Sequence, residues 1–370
     1  MLDRFRTFFK KYERYVSPVT LACGFTFDNL TLRQIDVFYS NFVLISYLFV
    51  SASSIMLLNI HESRRLTRGQ EKRSETIHAV SVFMMQFCLG GLFSASFLFY
   101  SRSGSIIESW PFLLMIVGYI AGNEILRKNY IQLTFQISVF FTALFSYLIF
   151  FLPVVLGKMN DSIFLLSGIS ALMITGVFIY ILSWFAPKQV GQSAPTLLLA
   201  VGGLFALINA LYFTNLIPPI PLALKQEGIY SSVTKLADGT YQTVAENQPS
   251  TLLPSGIFGL FAPTPTIHVA AGASLYALSA VFAPADLTTD IVHQWQEYNG
   301  DTKQWVTVAT IDLGISGGRR NGFRTFSEEG NIYPGLWRVN VQTPRGQLLG
   351  RLSFNVAVPT GAEAFTTVTQ

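Results

Sequence analysis

Charged residues are scarce in this chain. Only 12% of its 370 residues are charged, whereas soluble domains carry about 25%. Apolar residues make up 51% of the sequence, and the mean hydropathy is +0.43. A water-soluble fold cannot bury this much apolar surface, so the composition excludes an ordinary soluble protein and predicts a membrane protein.

Cysteines and the common catalytic motifs are missing as well. Cys23 and Cys88 are the two cysteines, and both lie in apolar stretches. A disulfide framework or a thiolate zinc site is therefore excluded in the C-terminal part. The sequence contains no P-loop, dinucleotide fingerprint, Ser/His/Asp set or nucleic-acid motif. It predicts no catalytic residue, no cofactor and no metal site.

Long apolar segments dominate the first two-thirds of the sequence. A membrane-spanning helix needs about 20 apolar residues. Six segments qualify, at 38–60, 77–100, 105–124, 130–157, 162–186 and 195–216. A seventh candidate at 16–32 is shorter and contains Asp28. Hydropathy thus predicts a membrane helical bundle of six or seven segments.

Basic residues predict how these segments are oriented. The loop at 61–76 carries five cations and is predicted to be cytoplasmic. Counting spans from this loop places the segment after the last helix on the opposite side of the membrane. Five more cations precede residue 15, and a seventh span at 16–32 would place them in the cytoplasm too. We therefore predict a cytoplasmic N-terminus and a C-terminal domain outside the cytoplasm.

Charge also separates the two parts of the chain. Residues 1–214 contain 16 Lys and Arg against 10 Asp and Glu, while residues 215–370 contain 9 against 11. A basic membrane half fits an anionic bilayer surface and does not indicate a nucleic-acid partner. Ionisable groups at membrane depth mark function by default. Asp28, Arg33 and Asp36 form the densest such cluster, either as part of a proton or ion path or as an ion pair at a re-entrant turn.

The pattern changes after the last apolar helix. Prolines at 218, 219 and 221 end that helix. We predict a transmembrane domain at 1–216, a juxtamembrane linker at 217–262 and a β-domain at 263–370. From about residue 264 large apolar residues alternate, and turn signals such as Asn299-Gly300 separate the runs. Five to seven short strands of this kind predict a small antiparallel β-sandwich of immunoglobulin-like type.

One segment of the β-domain concentrates glycine and arginine. Its sequence, GGRRNGFRT, contains Arg319, Arg320 and Arg324. Guanidinium groups beside backbone donors could bind a phosphate, a carboxylate or an anionic glycan. Alternatively, the segment is a corner between strands, with its arginines solvated or stacked on a tryptophan. His293 and Trp295 complete the predicted binding residues, although His293 has no ligand-spaced partner for a metal.

Several spaced elements of the C-terminal part resemble a known family. They are His293-Gln294-Trp295, GGRRNGFRTFS at 317–327, GLWRVNV at 335–341 and GQLLGRLSFNV at 346–356. In this order they resemble domain-of-unknown-function family 2914. The segments GFTFDNLTLRQID at 24–36 and IPPIPLALKQEGIY at 217–230 resemble the membrane part of longer bacterial members. The resemblance implies a bacterial envelope protein and assigns no chemistry.

Two functions remain open at this point. The first is a membrane-anchored scaffold or binding module in the bacterial inner membrane. Its periplasmic β-domain would bind an envelope protein, a glycan or another anionic ligand. The second is a transporter or intramembrane enzyme in which the β-domain is a gate or substrate collector. A bundle of six or seven helices is larger than an anchor requires and favours the second, whereas the absence of an internal repeat disfavours it.

Overall fold

The chain folds into two compact units, which we describe separately from a computed structural model. The structure describes residues 38–68, 72–104, 106–125, 132–246, 264–270, 272–284, 287–359, 361 and 364–369. The helical unit comprises Met1–Tyr100 and Pro111–Thr214, and the β-unit comprises Ser101–Trp110 and Asn215–Gln370. The seventh predicted segment, 16–32, lies outside the described residues.

Six helices precede the strands in the described part of the chain. They are α1 (Phe38–Arg68), α2 (Lys72–Ser103), α3 (Ile106–Ile125), α4 (Leu133–Leu156), α5 (Asp161–Phe185) and α6 (Pro187–Phe213). All helices except α3 are long and apolar enough to cross a membrane. Each of the six predicted segments therefore coincides with a helix, and five of these helices confirm the prediction of long apolar segments. That the segment at 105–124 spans a membrane stays a prediction.

Helix α4 is the central helix of its unit. Sixteen of its 24 residues are buried, whereas apolar side chains of the other helices, such as Phe49 and Leu198, remain exposed. This distribution is expected when lipid solvates the outer helices. Polar side chains within the bundle find partners, as when Asn59 Nδ2 donates to Gln136 Oε1 at 2.7 Å. Such pairing satisfies amides that hydrocarbon could not hydrogen-bond.

Eleven strands make up the described part of the β-unit. They are β1 (Ala223–Tyr230), β2 (Ser232–Lys235), β3 (Tyr241–Glu246), β4 (Thr266–His268), β5 (Leu275–Phe282), β6 (Thr288–Asn299), β7 (Gln304–Ser316), β8 (Phe323–Glu329), β9 (Gly335–Gln342), β10 (Leu348–Ala357) and β11 (Phe365–Thr369). They form three sheets with the orders β1-β5-β8, β4-β10-β9-β6-β7 and β11-β3-β2. All pairs are antiparallel except β4 with β10.

The three-stranded sheet β1-β5-β8 contributes to two cores. One of its faces shares a cluster with the five-stranded sheet, where Leu275 and Ala277 contact Trp295, Trp337 and Phe354. The opposite face shares a smaller cluster with the sheet β11-β3-β2. Alternation of side chains along each strand explains this arrangement, because successive residues point to opposite faces. The result is an antiparallel-rich β-structure, and its immunoglobulin-like character stays a prediction.

The structure differs from the predicted linker at 217–262. Strands β1, β2 and β3 lie within that range, and β1 pairs with β5 along its whole length. Val233 and Tyr241 on β2 and β3 are buried in the smaller core. These strands contain charged residues between the apolar ones, as half-buried strands do, so composition made them look like a linker. The peptide bond between Ile220 and Pro221, which precedes β1, is cis.

Candidate functional site

The glycine-rich segment forms the corner between β7 and β8. The backbone amide of Gly317 donates to the carbonyl of Leu287 at 2.9 Å, and that of Gly318 donates to Ala283 at 3.2 Å. A β-carbon at Gly317 would collide with the Pro284 carbonyl oxygen, so only glycine fits this close backbone approach. Gly318 has a φ of 87°, in the region that favours glycine. These glycines fix the corner against the end of β5.

Two arginines are exposed at the tip of this corner. The turn closes where the amide of Gly322 donates to the Arg319 carbonyl at 3.0 Å. The Arg319 guanidinium lies 4.6 Å from the centre of the Phe323 ring, a cation–π distance. Arg320 is exposed beside it. The corner thus presents two guanidinium groups from a rigid turn, and Arg319 stacks on Phe323 instead of a tryptophan.

Arg324 lies on β8, below the tip. It pairs with Ala280 of β5, and its backbone carbonyl accepts a hydrogen bond from the Tyr241 hydroxyl at 3.1 Å. The side chain is half-buried, and its Nε is buried without a hydrogen-bond partner among the described residues. Phe326, two residues further along the same face, packs against Tyr241. Arg324 therefore belongs to the face that packs on the β11-β3-β2 sheet.

His293 and Trp295 lie in the core, away from the arginines. The His293 ring is completely buried, with Nε2 at 2.8 Å from Ser279 Oγ and Nδ1 at 2.8 Å from Ser327 Oγ. Trp295 Nε1 donates to the same Ser327 hydroxyl at 3.0 Å. Ser279 is also 3.5 Å from Thr325 Oγ1. These contacts bridge β6 of the five-stranded sheet to β5 and β8 of the facing sheet.

The surroundings of His293 favour its neutral form. Burial lowers the pKa of His293 from 6.5 to about 4, because the charged form loses its hydration. A neutral ring has one donor and one acceptor, which matches one serine hydroxyl on each side. Nothing in this arrangement exposes a nucleophile to solvent. The network has the chemistry of a structural link between sheets, and His293 and Trp295 do not meet the arginines at one site.

A carboxylate that sequence reasoning missed lies at the end of the same row. Glu227 pairs across β1 and β5 with Ser279, and Ser279 pairs with Thr325. Its Oε2 is buried without a hydrogen-bond partner among the described residues. Burial raises the pKa of Glu227 from 4.5 to about 7. We call Glu227, Ser279, His293, Thr325 and Ser327 the buried polar row.

Gly350 on β10 makes room for this carboxylate. A β-carbon at position 350 would lie 2.7 Å from Glu227 Oε2 and would also collide with Leu224. Gly350 pairs with Val341, which in turn pairs with His293. The sequence predicts that the Glu227 side chain faces inward only if 223–230 is first assigned as a strand. Because 217–262 was predicted to be a linker, Glu227 was not predicted as a buried residue.

The segment that follows α6 is fixed within the β-unit. Asn215 and Arg345 exchange two hydrogen bonds: Asn215 Nδ2 donates to the Arg345 carbonyl, and Arg345 Nε donates to Asn215 Oδ1, both at 3.1 Å. Gln347 Nε2 donates to the Ile217 carbonyl at 3.1 Å. Gly104, from the connection between α2 and α3, lies against Pro218 of the same segment. The turn between β9 and β10 therefore contacts residues that directly adjoin predicted spans.

The remaining sequence predictions fall into two groups. Asp28, Arg33 and Asp36 lie outside the described residues. Among the described residues no group of three potential metal ligands occurs. His268 does have a partner, because its Nδ1 lies 2.7 Å from Glu246 Oε1 and its amide donates to Glu246 Oε2 at 2.8 Å. This pair joins β3 to β4 and is not a metal site.

The fold and composition define a membrane protein with an attached β-domain. Residues 288–356 match a family described as "Protein of unknown function (DUF2914)". The matched residues span β6 to most of β10 and include His293, Trp295 and the arginine corner. This match confirms the family resemblance of the C-terminal region, and the family description assigns no activity.

Other known proteins add little. No curated protein matches the chain. A β-glucosidase from Listeria innocua in complex with gluconolactone matches with 14% identity and a TM-score of 0.18, over 32% of this chain and 16% of that chain. The alkylpurine DNA glycosylase AlkC of Pseudomonas fluorescens, bound to DNA with an abasic site analog, matches with 12% identity and a TM-score of 0.20. This match covers 85% of this chain and 97% of that chain. Both TM-scores are too low for either structure to inform the fold.

Proposed function

We propose that this chain is a multi-pass protein of the bacterial inner membrane whose β-domain is a periplasmic binding module for an anionic ligand. The β-domain would act as an immunoglobulin-like module on a membrane-anchored scaffold. The observation that carries the proposal is the corner between β7 and β8, where Arg319 and Arg320 are exposed on a turn fixed by glycine. Guanidinium groups held on a rigid turn bind planar anions with little loss of conformational entropy.

The interior of the β-domain supports binding in preference to catalysis. Its most perturbed ionisable groups, His293 and Glu227, lie between sheets and bond or pack against other core residues. Enzymes place groups of perturbed pKa in clefts that substrate can reach. The corner between β7 and β8 instead presents exposed guanidinium groups, which suit recognition of an anion.

The proposed orientation rests on charge and on chain connectivity. The loops that adjoin one side of the predicted bundle contain Arg64, Arg65, Arg68, Lys72, Arg73, Arg127, Lys128 and Lys188. The opposite side has Arg33, Arg102, Lys158 and Lys225 near the predicted spans. When the predicted segment 105–124 is counted as a span, the positive-inside rule favours a periplasmic β-domain. Residues Ser101–Trp110 cluster with the β-domain, which agrees with this assignment because both adjoin the less basic side.

Binding is tested with the full chain in neutral detergent. We expect an anionic probe, either inorganic phosphate or an acidic glycan fragment, to bind the natural protein in calorimetric titration. The double variant Arg319→Gln/Arg320→Gln should lose at least tenfold in affinity, because each charge-assisted contact contributes about 1.5–3 kcal/mol. Lys235→Gln/Lys303→Gln removes two exposed cations elsewhere and is the matched control. Equal affinity in both double variants would refute the corner as the site.

Topology is tested separately in whole cells. The substitution Asn321→Cys, in a chain carrying Cys23→Ser and Cys88→Ser, places one thiol at the exposed tip of the corner. A membrane-impermeant maleimide should label it in cells whose outer membrane has been permeabilised. Labelling only after the inner membrane is disrupted would place the β-domain in the cytoplasm and overturn the periplasmic assignment.

A further inference from the structure

Cations collect at one end of the β-unit. Five described cations lie in or next to the segments that form this end: Arg102, Lys225, Arg319, Arg320 and Arg345. We call these residues the basic end. No acidic residue lies in the described stretches 101–104, 215–225, 282–284, 287–288, 316–323 and 343–348. The nearest described acids along the strands are the half-buried Glu227 on β1 and the exposed Asp290 on β6, each two residues beyond these stretches. Asp286, between two of these stretches, is outside the described residues.

Strand register brings these segments together. Ala223, at the start of β1, pairs with Phe282 at the end of β5, and Val281 pairs with Phe323 at the start of β8. The corner then packs on the end of β5 through Gly318. Lys225 lies on this same edge, with its Nζ 5.4 Å from the centre of the Phe282 ring. The ends of three strands and the arginine corner therefore share one end of the sheet.

The chain connects this end to two candidate spans. Helix α6, a candidate span, ends at Phe213, and β1 begins at Ala223. Asn215 contacts Arg345 directly. Arg102 is in the last turn of α2, another candidate span. The connection from α6 to β1, residues 214–222, is therefore nine residues long.

The opposite end of the β-unit has the reverse charge. Described residues near the ends of β6 and β8 include four acids and one cation: Glu297, Asp301, Glu328, Glu329 and Lys303. Strand β6 is 12 residues long, so the two ends lie roughly 40 Å apart at ~3.3 Å per residue. A domain polarised in this way has its favourable orientation with the basic end toward an anionic surface.

Like charges at the basic end also repel one another. Partial burial, and then the positive charge of Arg102, lower the pKa of Lys225. Arg102 and Lys225 therefore repel each other, and a bound anion would relieve this repulsion. Phosphodiester groups at the membrane surface supply such an anion at high local concentration, close to the spans.

We propose that the basic end binds the anionic headgroups of the surrounding bilayer, with Arg319, Arg320 and Lys225 contacting lipid phosphate. This inference rests on the proposed anion-binding function of the corner and specifies its ligand. The headgroup belongs to the leaflet on the β-domain side. Arg319 and Arg320 supply planar donors, and Lys225 supplies a point charge at the same edge.

The test uses the full chain in nanodiscs of phosphatidylcholine, with and without phosphatidylglycerol. Native mass analysis should find phosphatidylglycerol retained in preference to phosphatidylcholine. The preference should fall about fivefold for each cation removed, in Arg319→Gln/Arg320→Gln and again on adding Lys225→Gln. The control Lys235→Gln/Lys303→Gln should retain the preference. Amide hydrogen exchange at 316–323 should slow in the anionic nanodiscs only.

The outcomes separate this inference from the proposed function. An unchanged lipid preference in the triple variant overturns the headgroup site. If soluble phosphate still binds in detergent through Arg319 and Arg320, the binding module stands and its ligand is not lipid. If neither phosphate nor phosphatidylglycerol depends on these arginines, both proposals fail. Soluble phosphate added to the nanodiscs should compete with lipid only weakly, because the bilayer presents its phosphates at higher local concentration.

Discussion

The buried polar row and the basic end differ in how far their ionisable groups are exposed to solvent. In the row, His293 is completely buried and each ring nitrogen contacts a serine hydroxyl within the fold. At the basic end, Arg319 and Arg320 are exposed, and the Arg319 guanidinium lies over the Phe323 ring. The fold therefore satisfies the His293 ring internally, whereas the Arg319 and Arg320 side chains are available for an external partner.

This difference separates stability from function within a single domain. Buried polar groups that lose a partner destabilise the fold by about 1–3 kcal/mol. Exposed cations away from caps and ion pairs contribute within about 0.5 kcal/mol. Substitutions in the row are therefore expected to change folding and leave anion binding intact where the protein folds. Substitutions at the basic end are expected to do the reverse.

The largest expected effect is at the indole of Trp295. Its replacement, Trp295→Ala, removes a buried ring from the larger core and a hydrogen bond to Ser327. We expect a loss of about 3–5 kcal/mol in the free energy of unfolding of the β-unit. Amide hydrogen exchange of β6 and β9, measured on the full chain in detergent, reports this quantity. Trp305→Ala, on the half-exposed side of β7, is the control, and an equal loss there would contradict the comparison.

The next effect concerns Glu227 and depends on pH. The folded state raises the pKa of this carboxyl from 4.5 to about 7, so the folded state binds the proton more tightly than the unfolded chain. The contribution of this carboxyl to the free energy of unfolding is therefore fully present below about pH 4.5 and decreases as the pH rises to about 7. Glu227→Gln should stabilise the β-unit by about 3 kcal/mol at pH 8 and have little effect at pH 4. Hydrogen exchange of β1 at the two pH values, corrected for intrinsic rates, measures the difference.

His293 has the opposite pH dependence. Because its pKa is about 4 in the folded state against 6.5 for an unperturbed histidine, the unfolded chain binds the proton first and stability falls as pH drops through this window. Between about pH 4.5 and 6.5 the two groups offset each other. His293→Gln should cost about 1–2 kcal/mol at pH 7 and should expose the Glu227 dependence, so that stability now falls as pH rises. A stability curve parallel to that of the natural protein would contradict this coupling.

The smallest expected effect on folding is at the basic end. Arg319→Gln/Arg320→Gln should change the free energy of unfolding by no more than about 0.5 kcal/mol for each substitution. The same variant should lose anion binding, as described above. Differential scanning calorimetry of the full chain in neutral detergent compares the two quantities in one sample. A large drop in melting temperature would show that these arginines belong to the fold and would remove the contrast with the buried row.

Sequence patterns predicted the helices because each one approaches or exceeds the length of the bilayer core and is bounded by charge or turn residues. They predicted the later strands because apolar residues alternate in β6, β9 and β10. Strands β1 to β3 were not predicted, because charged and polar residues interrupt their apolar residues. The packing of β2 and β3 against the sheet β1-β5-β8 is not visible in the sequence pattern. Local periodicity reports which face is buried, but it does not report which partner buries it.

The candidate site shows the same limit. Glycines at 317, 318 and 322 predicted a tight corner, and the structure gives each a reason in backbone conformation or close approach. His293 and Trp295 were predicted as binding residues, and both are buried in the structure. Their burial follows from the side of β6 on which they lie, and that side depends on pairing with β9. Glu227 was invisible without the strand that carries it.

Gly350 has a consequence for how the sequence can change. Any β-carbon at this position meets the carboxylate of Glu227 and the side chain of Leu224. Positions 227 and 350, which are more than a hundred residues apart in the chain, are therefore expected to vary as a pair. A related chain with alanine at the second position is expected to carry a shorter residue at the first. Such linked substitutions in relatives would mark the buried carboxylate as an inherited feature of the interface between β1 and β10.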